Sequence, residues 1–376
     1  MATTVAVARG VNLRETTFED FEQISRLERR FDVGRKTFEE WRRLWTANPA
    51  CQRRRGWPIG WVLDHDGRIV GSLGNIPLDY ELDGRADMAA AGRSWVTGPD
   101  YRGYAAMLMD EFFQQKNVDL FLSTTVNHQA QGAFGAFGAF GAFGAFGAFG
   151  VQPAPAGQWD RSAFWITNYR GFARAFAASR GWRIPAWLAA PALVAKQTFR
   201  GSPLTAGGNL AVWQEMSFDE RFDAFRDEPR ERKRGELLAV RSREALNWHF
   251  HGALAKRRLW ILTVQERGQI AAYSIFRRTD RRRHGLTRMR VVDYQSLSDE
   301  REPPMAMLAW ALRLCREEGI HILEDLGCCM QGISAPNHRQ LASWTSYYKT
   351  SDPELANRLS RPYAWQPSLF DGDSTL

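Results

Sequence analysis

The stretch that decides the fold is residues 94–127, which read SWVTGPDYRGYAAMLMDEFFQQKNVDLFLSTTVN. Residues 94–96 are bulky and apolar and predict the end of a strand, and the turn residues at 97–100 predict a tight bend. Residues 101–113 have the apolar spacing of a helix, and 119–127 predict a second strand that ends at an asparagine. This order brings the start of a helix to the end of a strand.

The helix start after the bend has the features of a phosphate-binding site. Peptide N–H groups in the first turn of a helix have no partner within the helix, and the helix dipole adds partial positive charge there. Arg102 adds a full positive charge next to Gly103. These features favour a phosphate or pyrophosphate ligand. An ordinary strand–turn–helix crossover with a surface arginine is the alternative.

The composition indicates a globular chain that is long enough for two domains. Of its 376 residues, 44% are hydrophobic and 24% are charged, which is typical of folded proteins. No long apolar run or signal-peptide pattern is present, and the four cysteines fit neither a disulfide framework nor a metal site. We therefore expect a cytoplasmic protein. Its net charge of +8 favours an anionic partner such as coenzyme phosphates, lipid head groups or RNA.

The elements before the bend predict a sheet flanked by helices. A short strand precedes two helices, which begin at the capping boxes formed by Thr16 with Glu19 and by Thr37 with Glu40. An antiparallel meander of three strands then follows over residues 60–96, with Asp-Gly turns between the strands.

The same order of elements recurs about 200 residues further along the chain, from a strand at 210–213 to a strand at 320–323. We therefore predict an α/β (α+β) protein with two copies of one fold, each a mixed, mostly antiparallel sheet flanked by helices. Where the first copy has Arg102 and Gly103, the second has Glu302-Pro303-Pro304. Because proline has no backbone N–H, the first copy is the better candidate for binding a ligand.

These patterns divide the chain into a first copy at 1–150, a basic and apolar linker at 151–208 and a degenerate second copy at 209–376. Residues 132–150 repeat Gly-Ala-Phe six times before a final glycine. On a helix a three-residue step turns the side chain by about 300°, so the phenylalanines cannot all face one core. We interpret this run as an expansion that lengthens a helix, and a membrane-facing or self-associating surface is the alternative. The aromatic and basic residues of 171–200 fit either a bridge between domains or a peripheral membrane contact.

Two charged groups in the second copy are further candidates. Arginines cluster around a predicted hairpin and either bind a polyanion or form a solvated loop. They are Arg277, Arg278, Arg281, Arg282, Arg283, Arg288 and Arg290. Glu324 and Asp325 at the end of a predicted strand are candidates for binding a cationic amine.

The order of elements and the Arg-Gly turn resemble the GNAT superfamily of N-acyltransferases, in a tandem form with a degenerate second copy. The family motif is Arg/Gln-x-x-Gly-x-Gly/Ala. Arg102 takes its first place, whereas Ala105 and Met107 stand where small residues, usually glycines, are expected. The resemblance covers most of residues 11–138 and extends weakly over 210–330.

The resemblance implies that acetyl-coenzyme A is the acyl donor and lies along the strand at 89–96. The backbone N–H groups of 102–107 would then hold the pyrophosphate, Asn127 would lie near the pantetheine arm, and an N–H near Val96 would hold the thioester oxygen. The implied cofactor-binding residues are Val96, Arg102, Gly103, Tyr104, Ala105, Ala106, Met107 and Asn127.

The sequence does not identify the groups that transfer protons. A later family pattern of Asn, Ala, Tyr and Gly reads Asn127, Ala130, Phe134 and Gly138 here. The family tyrosine resembles a general acid for the leaving thiolate, and phenylalanine cannot take that role. The strand at 86–96 carries no glutamate; Asp87 and Ser94 remain as catalytic candidates.

We therefore expect an N-acyltransferase that transfers an acetyl group from acetyl-coenzyme A to an amine. The acceptor would be a small molecule such as an amino acid or amino sugar, or a glycan precursor of the cell envelope. One alternative is a FemAB-like transferase that uses aminoacyl-tRNA, in which case the basic charge would bind RNA. A second alternative is a non-catalytic scaffold at a membrane face.

Overall fold

The computed structural model describes residues 10–31, 33–124, 150–155, 161–181, 210–327, 330, 333, 335–340 and 346–376. The predictions for Asn127, for Phe134, for the Gly-Ala-Phe run and for most of the linker lie outside these residues.

The strands of the described chain are numbered in chain order. They are β1 (Val11–Glu15), β2 (Gly60–His65), β3 (Arg68–Leu82), β4 (Arg85–Thr97), β5 (Leu120–Ser123), β6 (Gln152–Pro153), β7 (Arg161–Ile166), β8 (Val212–Glu215), β9 (Leu238–Ala239), β10 (Leu259–Glu266), β11 (Gln269–Arg278), β12 (Arg288–Ser296), β13 (Ile322–Leu326), β14 (Asn337–Gln340) and β15 (Tyr347–Lys349).

The α-helices of the same residues are numbered in the same way. They are α1 (Phe21–Arg30), α2 (Phe38–Thr46), α3 (Pro49–Gln52), α4 (Ala105–Phe113), α5 (Tyr169–Ser179), α6 (Glu220–Arg232), α7 (Arg243–Ala255), α8 (Glu302–Glu317) and α9 (Pro353–Leu359).

Two mixed sheets carry the fold, as predicted. The first has the order β1-β2-β3-β4-β5-β15-β6, with β9 also paired to β3, and the second has the order β14-β7-β13-β12-β11-β10-β8. Neighbouring strands in the described chain are antiparallel except for β4 with β5 and β12 with β13, which are parallel. Each parallel pair is joined by a crossover helix, α4 in the first sheet and α8 in the second.

The hairpins form where the sequence predicts them, because the turn residues tolerate a left-handed backbone. Asp66 and Gly67, between β2 and β3, have φ angles of 51° and 80°, and Asp83 and Gly84, between β3 and β4, have φ angles of 52° and 79°. Two successive residues with positive φ form a turn that matches the twist of the flanking strands. The tight turns therefore fix the register of this meander.

Each sheet takes strands from both sides of the predicted boundaries at residues 150 and 208. β15, near the end of the chain, pairs with β5 and β6 in the first sheet. β7, which lies within the predicted linker at 151–208, pairs with β13 and β14 in the second sheet. The two copies are therefore interlocked through exchanged strands.

Helices cover both faces of the first sheet. α1 and α2 contribute Ile24, Trp41 and Trp45 to a buried cluster on one face, and α4 contributes Leu108 and Phe112 to a cluster on the other. Burial of such side chains contributes about 1.5–3 kcal/mol each. The sheet is thus held rigidly between two apolar layers.

One of the two predicted capping boxes is correct and the other is displaced by one residue. The peptide N–H of Thr37 donates to the Glu40 carboxylate, and the N–H of Glu40 donates to the Thr37 hydroxyl. At the first helix start the box consists of Thr17 and Asp20 instead of the predicted pair, with Thr17 N–H donating to Asp20 at 2.8 Å. Asp20 is the acid of this capping box because Arg14 also holds its carboxylate, at 2.8 Å.

Among the described helices, none combines the length and the apolar character that crossing a bilayer requires. Of the segment 171–200, for which a membrane contact is one interpretation, residues 171–181 are described. In α5 the alanines 173 and 175 are buried, whereas Phe176 is 43% exposed. A peripheral membrane contact of this segment stays a prediction.

Candidate functional site

The strand β4 extends beyond its short pairing with β5. They pair over three residues each, 89–91 with 120–122, and β4 then continues to Thr97. The ladder between β3 and β4 shifts register opposite Ser72 and Gly74, and Ser94 in the bulge has a φ of 51°. A bulge bends its strand and increases its twist. It therefore bends the last part of β4.

The predicted bend directly follows the end of β4. Residues Pro99–Tyr104 form a 3-10 helix that leads directly into α4. Gly98 N–H donates to the Val70 carbonyl at 2.7 Å, and the Trp95 indole donates to the Ala105 carbonyl at 3.2 Å. These bonds fix the bend against the sheet.

The predicted cofactor residues at 96 and 102–107 lie together at this end of β4. Arg102, Gly103 and Ala106 are exposed to solvent. The 3-10 helix does use some of the predicted donors internally, because Ala105 N–H donates to the Arg102 carbonyl. Binding of a pyrophosphate by the remaining groups stays a prediction.

The two catalytic candidates from the sequence lie at opposite ends of β4. Ser94 is in the bulge, and its hydroxyl has no hydrogen-bond partner among the described residues. Asp87 lies seven residues earlier, about 23 Å away at the usual strand rise. Its buried carboxylate is 2.9 Å from Arg85 Nε, although without the angle of a hydrogen bond. Burial raises the pKa of Asp87 and the charge of Arg85 opposes this. The structure does not bring Asp87 to the bulge at Ser94.

A carboxylate that the sequence analysis missed lies next to the bulge. Glu28 in α1 is 7% exposed and lines a cavity of ≈ 10 Å³ together with Arg93 and Ser94. Its side chain makes no hydrogen bond or ion pair within the described ranges. The signal was present in the sequence: Phe21, Ile24 and Glu28 follow helical spacing, so an acid falls on the apolar face of α1.

Three cationic side chains from separate elements lie close enough to shift one another's pKa. Lys36 comes from the loop between α1 and α2, Arg93 from β4 and Arg277 from β11. Burial, together with the charges of Arg93 and Arg277, lowers the pKa of Lys36 to about 7. Burial also lowers the pKa of Arg277, as do the charges of Arg93 and of two other arginines. These three side chains therefore act on one another electrostatically.

The two copies are joined by contacts between α2 and the region of α7. The Trp248 indole donates to the Arg43 carbonyl at 3.0 Å, and Lys256 forms an ion pair with Glu40. Because these contacts hold the second copy against the helices of the first, they also set the position of β11 and of Arg277.

The corresponding groove of the second copy is filled by the chain itself. There β12 carries a bulge opposite β11, and Leu369 N–H donates to the Val292 carbonyl of that bulge at 3.0 Å. Arg241 then joins Asp293, at 2.8 Å, to Asp371, at 3.0 Å. Burial alone would raise the pKa of Asp293, but Arg241 holds it below its ordinary value. This filling agrees with the expectation that the first copy is the ligand-binding one.

Glu324, one of the two acids predicted to bind a cationic amine, is already paired with arginines. Glu324 is buried and contacts Arg288 at 2.9 Å, Arg290 at 2.8 Å and Arg339 at 3.1 Å. Burial opposes its charged form, yet these arginines lower its pKa to about 2. The prediction was wrong because neighbouring arginines already neutralise this carboxylate. The arginine cluster is likewise no simple solvated loop, since Arg277, Arg288 and Arg290 point into the protein.

The comparisons with known proteins agree with this geometry. No protein-family model and no curated protein matches the sequence. A solved GCN5-related N-acetyltransferase from Anabaena variabilis is similar, with 12% identity, a TM-score of 0.52 and coverage of 91% of this chain and 73% of that one. A probable N-acyltransferase from Enterococcus faecalis has 11% identity, a TM-score of 0.53 and coverage of 90% and 72%.

A third solved enzyme is also similar. The N-myristoyltransferase of Saccharomyces cerevisiae, solved with bound myristoyl-CoA, has 11% identity and a TM-score of 0.55. The match covers 92% of this chain and 80% of that one. Identities this low establish the fold and nothing narrower. The chain has the GNAT fold, the fold of the GCN5-related N-acetyltransferases and the N-myristoyltransferases, as the sequence predicted.

Proposed function

We propose that the chain is an N-acyltransferase whose acyl-CoA donor binds in the groove between β4 and β5 of the first copy. The observation that carries the proposal is the bulge at Ser94, which bends β4 just before the helix start at 99–105. The similar N-myristoyltransferase binds myristoyl-CoA, which supports a coenzyme A thioester here. The second copy has its own residues in the corresponding groove.

Within this proposal the donor is acetyl-CoA. Arg102 would contact the pyrophosphate, the N–H groups that the 3-10 helix leaves free among 102–107 would assist it, and Asn127 would orient the pantetheine arm. The backbone near Val96 would hold the thioester oxygen.

The acceptor is an amine, which must be neutral to attack. The amine nitrogen forms a bond to the acyl carbon, the carbon–sulfur bond breaks, and coenzyme A leaves as a thiolate that solvent protonates. The proton lost by the amine needs an acceptor close to the bulge. We propose Glu28 for this role, because its carboxylate is buried beside Ser94 and has no other partner in the described chain.

The substitution Arg102→Ala tests donor binding. We expect the binding of acetyl-CoA to weaken by about 1–3 kcal/mol, because a charge-assisted contact to phosphate is lost. Isothermal titration calorimetry measures this change. Arg301→Ala is the matched control, since Arg301 is an exposed arginine at the start of the corresponding helix α8. An unchanged dissociation constant for Arg102→Ala would remove the assignment of this residue.

The same calorimetric measurement separates the proposal from its alternatives. Saturable binding of acetyl-CoA supports the acyltransferase, whereas salt-sensitive binding of tRNA without it would favour a tRNA-dependent transferase. Co-sedimentation with vesicles that is lost on deletion of 171–200 would favour a scaffold at a membrane. A cytoplasmic location remains a prediction.

A further inference from the structure

Four arginines and Glu324 share one face of the second sheet. Arg277 of β11 lies directly opposite Arg290 of β12, and Arg290 lies beside Glu324 of the parallel strand β13. Residues that are directly opposite in neighbouring strands project to the same face, and Arg288, two residues before Arg290, does so as well. Arg339 comes from β14 and reaches this face, where its Nη2 atom is 3.1 Å from the Glu324 carboxylate.

The Glu324 carboxylate brings three of these arginines together. Its side chain is 2% exposed and accepts hydrogen bonds from Arg288 at 2.9 Å and from Arg290 at 2.8 Å, in addition to the one from Arg339. The hydroxyl of Ser162 donates a fourth, at 2.8 Å. The three guanidinium groups are therefore fixed around a single carboxylate by hydrogen bonds from three directions along the sheet.

The carboxylates nearby do not balance this charge. Three guanidinium groups on one carboxylate leave two positive charges in excess, and these three arginines form no other ion pair within the described chain. Asp280 accepts a hydrogen bond from the Arg288 backbone, but it is already paired with Arg278 at 3.0 Å. Arg277 adds a further cation directly opposite Arg290, and like charges in that position destabilise a sheet.

Two of the three arginines have donor nitrogens left for a ligand. The side chain of Arg339 is 46% exposed and that of Arg290 is 21% exposed, whereas Arg288 is buried. Arg290 uses Nε and Arg339 uses Nη2 to bind Glu324, and their other nitrogens have no partner among the residues that the structure describes. Because the carboxylate already holds both side chains, a ligand would bind them at a small cost in side-chain entropy.

We propose that this site, formed by Arg288, Arg290, Arg339 and Glu324, binds a dianionic phosphate group such as that of a phosphate monoester. Arg290 and Arg339 contact the phosphate, and Arg288 and Glu324 hold them in position. A phosphate monoester carries about −1.5 to −2 charges at pH 7, which matches the excess at the site, whereas a carboxylate or a phosphate diester carries a single negative charge. Guanidinium groups also match the oxygen geometry of phosphate.

Calorimetric titration of the full chain with four small anions tests the proposal. The anions are inorganic phosphate, glycerol 3-phosphate, dimethyl phosphate and acetate, at constant ionic strength. We expect the first two to bind at least about tenfold more tightly than the last two, because the second negative charge has its own guanidinium partner. The ratio of the first two affinities distinguishes a site for free phosphate from one that also contacts the esterified group.

Variants assign the binding to these residues. Arg339→Gln and Arg290→Gln should each weaken the binding of glycerol 3-phosphate at least about tenfold, and Arg290→Lys should retain part of it because the charge is kept. Arg283→Gln is the matched control, since Arg283 is an exposed arginine between β11 and β12 without an ion pair in the described chain. Phosphate should raise the Tm of the wild type and of Arg283→Gln, but not that of Arg339→Gln.

The outcomes keep this inference separate from the proposed acyl transfer, on which it does not depend. Absence of phosphate binding would overturn it, and so would equal affinity for dimethyl phosphate, which would indicate a contact with a nucleic-acid backbone instead. Phosphate binding that Arg102→Ala abolishes and Arg339→Gln leaves intact would belong to the first copy and would also overturn it. Binding of acetyl-CoA is measured on its own, so either proposal can fail while the other stands.

Discussion

At the scale of single residues, the proposed reaction depends on a carboxylate that lies on the buried side of α1. Glu28→Gln keeps the shape of the side chain but cannot accept a proton. We expect kcat to fall at least about 100-fold, the usual contribution of a positioned general base, while the affinity for acetyl-CoA is unchanged. Steady-state kinetics together with calorimetry measure the two quantities separately.

Glu22→Gln is the control for this substitution, because Glu22 is an exposed acid on the same helix. It should leave both quantities as they are. A Glu28→Gln protein with wild-type kcat would show that another group, or solvent, accepts the proton.

Lys36 gives the protein a specific dependence of stability on pH. Burial and the charges of Arg93 and Arg277 lower its folded-state pKa to about 7, opposed by Glu40 and Glu28, and the unfolded-state pKa is about 10.4. Between these values the unfolded state holds a proton that the folded state has lost. The unfolding free energy should therefore rise between pH 7 and 9, by up to about 1.4 kcal/mol per pH unit from this residue.

Urea unfolding at several pH values measures this slope. Lys36→Met should flatten it between pH 7 and 9, and Lys256→Met should not, because Lys256 is exposed and paired with Glu40. Identical slopes for wild type and Lys36→Met would contradict the burial of this amine.

At the scale of the elements, the bulge in β4 combines backbone strain with a proposed function. Ser94 has a φ of 51°, a region that glycine occupies at no steric cost. We expect Ser94→Gly to change the unfolding free energy by less than about 1 kcal/mol in either direction and to keep activity, if the hydroxyl is not catalytic. Ser94→Val should cost more than about 1 kcal/mol, since a branched side chain disfavours this conformation. Urea unfolding and thiol-release kinetics of both variants test the two statements.

Elements that are specified locally were predictable from the sequence, and elements specified by distant contacts were not. The Asp-Gly turns and the bend after Thr97 followed from short-range residue preferences. The exchange of β7 and β15 did not, because strand pairing over more than 150 residues leaves no local pattern. The 3-10 winding of 99–104 was missed for a related reason, since the bonds of Gly98 and Trp95 to the sheet and to α4 hold it.

The residues of the candidate site show the same contrast between features that are local in sequence and features that depend on distant contacts. The helix start with Arg102 was visible as a motif, whereas Lys36 and Arg277, which act on each other electrostatically, lie more than 200 positions apart. Glu28 is intermediate, because its place on an apolar helix face could have been read from spacing alone. Glu324 misled the sequence analysis because the arginines that surround it come from β12 and β14.

At the scale of the whole molecule, the copies are linked by the segment 368–376, which runs from the second sheet to the first. Leu369 bonds to β12, Asp373 accepts a hydrogen bond from Thr124 after β5 at 3.2 Å, and the hydroxyl of Thr375 lies 2.6 Å from His249. Because this segment contacts both sheets, disturbing one of its anchors should weaken the whole protein and not one copy alone.

Among the anchors of this segment, Arg241 is the one whose removal should lower the unfolding free energy most. It is 8% exposed, binds Asp293 and Asp371 and lies over the Phe370 ring, 4.9 Å from its centroid. Arg241→Met keeps much of the side-chain volume but leaves two buried acids without a counter-ion. Removing one partner of a buried ion pair costs about 3–5 kcal/mol, so we expect a loss of this size in the unfolding free energy, measured by urea unfolding.

The double variant Arg241→Met, Asp293→Asn distinguishes a lost ion pair from lost packing. If uncompensated charge causes the destabilisation, the double variant should recover part of the loss, because one of the two stranded acids is gone. Arg243→Met, at an exposed arginine whose acidic neighbours are 3.7 Å and 3.8 Å away, should cost less than about 1 kcal/mol. A similar small cost for Arg241→Met would mean that the segment is held by its apolar contacts alone. The filled second groove would then be a consequence of packing and not of this ionic network.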